Sequence, residues 1–361
     1  MNGKLFYILT FLVFLTGLYL GIFRVVFPLQ GLNSYSYIVI SLVIFGFTKA
    51  VMNYIAGFIS DIIGRRIVLA LGWVLALVLP VFGLVSNSVI IISFLTSLVA
   101  VHQAFTWTTT ITSQVDISGK KKAGFAAGVN ETAGYLGVAI GNFIAGFLIT
   151  YNVSSYYLML VIPILALLLS IKTSETKPMR TTLVSKTNYK SIALILGVAG
   201  LLEKFVDSFY WIIVPYYLST IKISAISIAI IVSLYAGSWA LLQPITGFIS
   251  DIKGRLNIIL VGFLIMSLGV AFFQLNYYVS ALISGIGMSL VYPTLIAAVN
   301  DYTDDGNRGR ALGIYRLLRD LGYGLAGILL LLVFNNIFYS VLITFITQMI
   351  GFIVTKFFKY K

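Results

Sequence analysis

Long apolar runs, broken at intervals by short polar segments, dominate this sequence and restrict the folds open to it. Runs of roughly 18 or more apolar residues with few charges are typical of membrane-spanning helices. Of the 361 residues, 60% are hydrophobic and 10% are charged, whereas a soluble domain carries about 25% charged residues. A membrane barrel would need alternating polarity over segments of about 10 residues, and no such alternation is present. The sequence therefore predicts an all-α integral membrane protein.

The apolar residues fall into twelve spans. The first span follows Lys4. It is too long for the apolar core of a signal peptide and lacks a small-x-small cleavage site, so it is interpreted as an uncleaved helix. No segment outside the spans is long enough to fold as a separate domain. The expected bounds are Leu5–Phe27, Tyr37–Ser60, Ile67–Val85, Val89–Thr112, Ala123–Thr150, Tyr156–Ile171, Ser191–Leu218, Ala225–Ser250, Leu256–Gln274, Tyr277–Val299, Ala311–Val333 and Ile337–Phe357.

The connections between the spans alternate in charge. One set holds a single charged residue, Lys222. By the positive-inside rule, the basic set and both termini are expected in the cytoplasm, which makes the cytoplasmic membrane the expected location. The net charge of +13 then reflects topology rather than nucleic-acid binding. The basic set is Lys4, Arg65, Arg66, Lys120, Lys121, Lys122, Lys172, Lys177, Arg180, Lys186, Lys190, Lys253, Arg255, Arg308, Arg310, Lys356, Lys359 and Lys361.

The longest polar segment, residues 172–190, divides the spans six and six. We therefore expect a six-helix bundle over residues 1–171, a cytoplasmic linker over residues 172–190, and a second six-helix bundle over residues 191–361.

A sequence repeat relates the two sets of spans. Residues 57–66 read GFISDIIGRR after the second span, and residues 247–255 read GFISDIKGR after the eighth, an offset of 190 residues. Residues 26–28 also resemble residues 213–215, and Gly134-Tyr135 resembles Gly322-Tyr323. Repeated halves with a binding site between them are a common plan for transporters, because rocking one half against the other exposes the site to each side in turn.

The two copies resemble G-x-x-x-D-R-x-G-R-R, which the major facilitator superfamily carries between its second and third helices, with a weaker copy between the eighth and ninth. The sequence departs at Ile62 and Ile252, where the family usually has a basic residue. Because the helix count and layout also agree, the resemblance covers the whole chain. It implies twelve transmembrane helices in two pseudo-symmetric six-helix halves, and a latch at this loop that breaks as the halves rock.

Elementary chemistry suggests a role for each part of the motif. The first glycine of each copy is expected to let a neighbouring helix approach, the aspartate to bind a helix N-terminus or a cation, and the second glycine to permit a tight turn. If the motif only fixed topology, the arginines would be explained but the repeated glycine and aspartate would not. The residues of this gating loop are Gly57, Asp61, Gly64, Arg65, Arg66, Gly247, Asp251, Gly254 and Arg255.

Charged residues also lie inside the predicted spans, where each costs about 2.5–3.5 kcal/mol on insertion scales and is by default a candidate for function. Arg24 is expected to extend to the outer interface. Arg316 and Asp320, and Glu203 and Lys204, could pair with each other as structural contacts. For Lys49 and Glu131 a functional role is favoured. The candidates for a solute or proton path are Lys49, Glu131, Glu203, Lys204, Asp207, Arg316, Arg319, Asp320 and His102.

A buried carboxylate that exchanges a cation for a proton could couple transport to a proton gradient. Glu131 and Asp207 are the leading candidates, and Lys49 or Arg316 is the expected partner of Glu131. His102, the single histidine, could relay protons or could pack in the core. Family members that couple to protons often carry an arginine in the fourth helix, and this chain has none there.

The fifth span is rich in glycine. Its sequence resembles the helix-5 signature of antiporters in the same family, with Asn142 where proline is expected, but spaced glycines also mark close helix packing in general. The sequence does not decide between antiport and symport. The residues expected to pack this helix are Gly137, Gly141, Asn142 and Gly146.

The composition argues against several other functions. One histidine, no cysteine and no H-E-x-x-H sequence disfavour an enzyme, a metal site or a cofactor. The absence of G-x-x-x-x-G-K-[ST] disfavours an ATP-driven pump. The resemblance implies a secondary transporter that moves a small molecule by alternating access. From the buried carboxylates, protons are the expected coupling ion. The lipid bilayer is the expected surroundings, a monomer is the expected state, and no nucleic-acid partner is expected. Two alternatives stay open: a passive uniporter, and a membrane sensor or scaffold that does not transport.

Overall fold

The structure, a computed structural model, describes residues 3–30, 35–86, 88–119, 122–176, 189–303, 308–333 and 336–359. Within these ranges the chain forms twelve helical rods. They are α1 (Gly3–Gln30), α2 (Tyr35–Ile63), α3 (Arg65–Val85), α4 (Val89–Ser118), α5 (Ala123–Thr150), α6 (Ser155–Ile171), α7 (Tyr189–Ser208, continued by Phe209–Ile213 and Val214–Thr220), α8 (Ala225–Lys253), α9 (Arg255–Gln274), α10 (Tyr277–Asp301), α11 (Arg308–Leu332) and α12 (Ile337–Lys359).

The apolar composition of these helices identifies a multi-pass membrane protein. Nine helices of the described residues are long and apolar enough to cross a membrane. The other three are α6, which is apolar but has 17 residues, and α7 and α11, whose sequences are interrupted by charges. In lipid a backbone must satisfy its own hydrogen bonds, which a helix does.

Most helix bounds agree with the predicted spans to within a few residues. The main difference is α4, which continues past the predicted end at Thr112 to Ser118, because its polar last turns form ion pairs and hydrogen bonds at the end of the bundle. Much of the predicted linker lies outside the described residues. So do six members of the predicted basic set, which are Lys120, Lys121, Lys177, Arg180, Lys186 and Lys361.

Glycines bring α1 and α5 into direct backbone contact. A Cβ added to Gly17 or Gly21 of α1 would collide with backbone atoms of α5, and one added to Gly137 or Gly141 would collide with backbone atoms of α1. Small residues at such positions let two helices approach closely, which is a main source of helix association where lipid removes the hydrophobic driving force. Two of the predicted packing residues of α5 therefore lie against α1.

A π-helical turn at Phe209–Ile213 interrupts α7. Pro215 has no N–H to donate to the carbonyl of Trp211, and its ring crowds that carbonyl. A wider turn relieves this crowding. The turn lies beside α1 and α2, so that the Trp211 ring is 4.7 Å from the Arg24 guanidinium and its centroid is 4.7 Å from that of Phe45.

The first six and the last six helices touch mainly towards one end of the bundle. We call the end with the turns at residues 64 and 254 the basic end, and the opposite end the far end. Towards the far end, Gly146 packs on Ala229, Asn142 donates to the Val232 carbonyl at 3.3 Å, and the ring centroids of Tyr35 and Tyr216 are 4.4 Å apart.

Near the basic end, the predicted close approach of a helix to Gly57 and Gly247 is wrong for this structure. A Cβ added to either residue would meet nothing within 4 Å among the described residues, and the same is true of Gly124 and Gly128 in the first turns of α5. For Gly247, Gly124 and Gly128 the reason is that the helix pair α5 and α8, which is in contact from Gly146 down to the Tyr135 and Trp239 rings, has no such contacts at these three glycines.

Candidate functional site

A buried ion pair joins α1 to α7 in the middle of the bundle. Arg24 donates from Nη1 to Asp207 Oδ1 at 2.9 Å and from Nη2 to Asp207 Oδ2 at 3.3 Å. The Tyr323 hydroxyl of α11 accepts from Arg24 Nη2 at 3.1 Å and donates to Asp207 Oδ2. The expectation that Arg24 extends to the outer interface is therefore wrong, because an acid on another helix binds it inside the protein.

Lys204 lies next to this pair, one helical turn before Asp207. Its Nζ is 3.1 Å from Glu203 Oε1 and 3.6 Å from Asp207 Oδ2, and all three side chains are fully buried. Three aromatic rings surround the ammonium group at 5.1–5.3 Å, a distance at which a ring face attracts a cation: Trp239, Tyr292 and Tyr323.

A second group of charges joins α2 to α11. Asp320 Oδ1 accepts from its neighbour Arg319, at 3.0 Å from Nε and 2.8 Å from Nη2. Asn53 donates to Asp320 Oδ2, and Lys49 Nζ lies 3.7 Å from Asp320 Oδ1, beyond hydrogen-bond length. The structure thus pairs Asp320 with Arg319 and Lys49, not with Arg316 as the spacing along the helix suggested.

Glu131 of α5 accepts hydrogen bonds from neutral groups. Trp107 Nε1 of α4 donates to Oε1 at 3.1 Å, and the Tyr292 hydroxyl of α10 donates to Oε2 at 2.8 Å. The expectation that Lys49 or Arg316 pairs with Glu131 is therefore wrong. Because Trp107 and Tyr292 come from different sets of six helices, Glu131 links the two sets.

These groups surround a small polar cavity, with a volume of about 20 Å³. That is room for about one water molecule, so a larger solute fits only if the surrounding side chains or helices separate. The cavity brings together four predicted site residues from α2, α5 and α11. Residues that line it include Lys49, Gln103, Glu131, Tyr292, Arg316 and Arg319.

Other predicted site residues lie apart from this cavity. A separate cavity of about 10 Å³ borders Arg24, Asn142 and Asp207. His102 Nδ1 donates to the Gly72 carbonyl at 2.9 Å, and its ring packs on Tyr19 and Trp73. The histidine therefore lies between α1, α3 and α4, away from the charged groups.

At the basic end, the first copy of the repeated motif forms a compact polar cluster. Gly64 has a φ of +102°, which glycine tolerates and other residues disfavour. The buried Arg65 side chain pairs with Asp116 at the end of α4 and lies 3.7 Å from Asp61. The Glu175 carboxylate accepts the backbone N–H groups of Arg65 at 2.7 Å and of residue 66 at 3.1 Å, so it satisfies the N-terminus of α3.

The second copy repeats this arrangement. Gly254 has a φ of +87°, and Arg255 pairs with Asp251 and, at 2.7 Å from Nε, with Asp301 at the end of α10. Asp116 and Asp301 were not predicted. Both aspartates lie near the end of a helix that has the same position in its half, α4 and α10, so a comparison of the two halves could have identified them. No pattern in the sequence links Glu175 to the helix that begins 110 residues earlier.

We expect Arg65→Gln to lower the stability of the protein by about 1–3 kcal/mol, because it leaves the Asp116 carboxylate partly buried without its cation. Arg66→Gln is the matched control: the Arg66 side chain is exposed, and exposed substitutions are usually within about 0.5 kcal/mol of neutral. Melting temperatures of both purified variants test this, and equal values would contradict the structural role given to Arg65.

Comparison with known proteins gives three findings. The chain matches the sequence model of the family described as Major Facilitator Superfamily over residues 9–196 and 196–360. Magnetosome protein MamH of Paramagnetospirillum magneticum is 34% identical over 79 residues, which span 18% of this chain and 18% of that protein. A crystal structure of a mutant of the nucleoside transporter NupG has a TM-score of 0.72 at 13% identity, covering 99% of each chain. At that identity the likeness establishes a shared fold alone.

Proposed function

The chain belongs to the major facilitator superfamily, and we propose that it is a secondary transporter that moves a small solute across the cytoplasmic membrane by alternating access. One observation carries this proposal: charged side chains from both sets of six helices converge on a single central cavity, with Lys49 and Glu131 on one side and Arg316 and Arg319 on the other. Intramembrane charges are costly and usually mark a solute or ion path, and a site between two repeated halves suits alternating access.

The proposed architecture is two six-helix halves, residues 1–171 and 191–361, joined by a cytoplasmic linker over residues 172–190, with all twelve helices crossing the membrane. The repeat of the Arg65 and Arg255 clusters supports two related halves. The buried charges of α7 and α11 face α1, α2 and each other, which lets these helices cross without exposing an ion to lipid.

The contacts between the halves support a conformation that is closed at the far end and open towards the basic end. Ring and backbone contacts such as Tyr35 to Tyr216 join the halves at the far end, whereas a Cβ added to Gly57 or Gly247 would meet no atom of the described residues within 4 Å. In the opposite conformation the basic end would close over these glycines, which suits the role of a latch for the repeated motif.

The proposed placement of the basic end in the cytoplasm predicts the topology of the chain. A reporter fused after Lys361 should have cytoplasmic activity, and one inserted at Asn152, in the connection between α5 and α6, should be external, because the basic connections stay in the cytoplasm. Asn87, in the connection between α3 and α4, is a second external site, although it lies outside the described residues. Cytoplasmic activity at Asn152 with external activity after Lys361 would contradict the topology.

We expect Asp61→Asn to slow transport several-fold while leaving the melting temperature unchanged. The Asp61 carboxylate is 52% exposed and 3.7 Å from Arg65, and such exposed pairs contribute about 0–1 kcal/mol. Its carboxylate is therefore free to bind a second group when the basic end closes. Transport at equal expression is the measurement, and a wild-type rate would reduce the motif to a topology signal.

Transport itself is tested with purified protein. A thermal-shift screen against amino acids, organic acids, sugars, inorganic anions and nucleosides identifies a ligand, because binding raises apparent stability. Uptake of that ligand into proteoliposomes then separates a transporter from a sensor or scaffold, which would bind it without moving it. Accumulation driven by a pH gradient separates proton coupling from passive uniport.

A further inference from the structure

We propose that the solute is an organic anion, whose carboxylate or phosphate group is bound in the central cavity by Lys49, Arg316 and Arg319. This inference rests on the proposed function and names the chemical class of what is moved. Three cations and one carboxylate, Glu131, line this cavity.

The neighbouring carboxylates do not neutralise these cations. Both oxygens of Glu131 are bound by the neutral donors Trp107 and Tyr292. Asp320 has one negative charge for Arg319 and Lys49 together, and Lys49 stays 3.7 Å away from it. With Asp320 counted, the cavity keeps an excess of one positive charge.

Residues that line the cavity also carry spare hydrogen-bond donors. Arg319 is 5% exposed, and its Nη1 has no hydrogen-bond partner among the described residues. Arg316 lines the cavity and forms no ion pair with another residue of the described ranges. Because buried polar groups are nearly always hydrogen-bonded, a ligand with anionic oxygens would satisfy these donors, and a guanidinium group binds such oxygens in pairs.

The rest of the cavity favours an anion that also carries a flat apolar part. Trp107, Tyr135 and Tyr292 contribute aromatic rings to its lining. A cationic solute would meet three like charges, and a neutral one would leave the excess positive charge without a counter-charge in a low-dielectric site. Selection by charge therefore dominates, and the rings accommodate the body of the molecule.

The first test uses matched probes that differ in charge. Purified protein is titrated with benzoate and benzamide, and with phenyl phosphate and adenosine, the last as a neutral aromatic solute. We expect benzoate or phenyl phosphate to raise the melting temperature by about 2–4 °C at saturating concentration, and the neutral probes to leave it unchanged. If only benzoate or only phenyl phosphate shifts the melting temperature, that result identifies the recognised group as a carboxylate or a phosphate, respectively. Equal shifts with benzoate and benzamide, or no shift with either anion, would overturn the proposal.

The second test uses two arginines of the same helix. Arg316→Gln should lower affinity for the active anion at least tenfold, while Arg310→Gln, at an exposed position outside the cavity, should leave it unchanged. The melting temperature without ligand reports on folding of both variants, and normal anion affinity in a folded Arg316→Gln protein would also overturn the assignment.

Two outcomes separate this proposal from the proposed function. If the protein transports only neutral solutes, the proposal of an anionic solute is refuted and the proposed transport function stands. If the protein binds anions without moving them, only the proposed transport function is refuted.

Discussion

Asp207→Asn is expected to destabilise the protein by about 3–5 kcal/mol, the effect of removing one partner from a buried ion pair. Two hydrogen bonds join Asp207 to Arg24, and Lys204 Nζ lies 3.6 Å away. Asparagine removes the negative charge that both cations share and leaves them in a fully buried site. Because the pair joins α1 to α7, we also expect the contact between the two halves to weaken.

Two further variants decide whether charge is the cause. Asp251→Asn removes an acid from the ion pair with Arg255 at the basic end, where the aspartate is 55% exposed, and should change the melting temperature little. Arg24→Gln combined with Asp207→Asn removes both charges and should recover part of the loss, because neither charge is then left alone. A single Asp207→Asn variant that melts like the wild type would show that the pair contributes nothing to folding.

The arrangement of helices along the chain follows from local physics and could be predicted. Apolar run length fixes where a helix enters and leaves the membrane, so the predicted span Ala123–Thr150 coincides with α5. The glycines at 64 and 254 have the positive φ that a tight turn requires. The end of α4 was missed, because Asp116 and its polar neighbours lie beyond the apolar run and their partners come from other helices.

The partners of the buried charges could not be predicted in the same way. Each residue turns a helix by about 100°, so the group that meets a side chain depends on the rotation and tilt of a neighbour far away in sequence. Arg24 is near the end of its span, which suggested the interface, yet Asp207 is 183 residues later and beside it. Glu131 meets Tyr292 for the same reason, 161 residues away.

Replacing Glu131 by glutamine is expected to abolish accumulation driven by a proton gradient while exchange of solute survives. Among the candidate carboxylates, Asp207 is bound by Arg24 through two hydrogen bonds and Asp320 by Arg319 through two. Glu131 has only neutral donors and lines the cavity, so a proton can reach it without breaking an ion pair. A carboxylate with two protonation states that also joins the two halves is a two-state element of the kind that coupling requires.

Glutamine should keep the fold, since its carbonyl can accept from Trp107 and its amide can donate to the Tyr292 hydroxyl. What it loses is the ability to gain and release a proton. The measurement is uptake into proteoliposomes with and without an imposed pH gradient, beside counterflow without one. Glu175→Gln is the matched control, because that carboxylate caps α3 at the basic end, away from the cavity, and the glutamine carbonyl can still accept one of the two N–H groups. If the Glu131 variant accumulates solute as the wild type does, Glu131 only holds the halves together, and Asp207 becomes the candidate for the coupling proton.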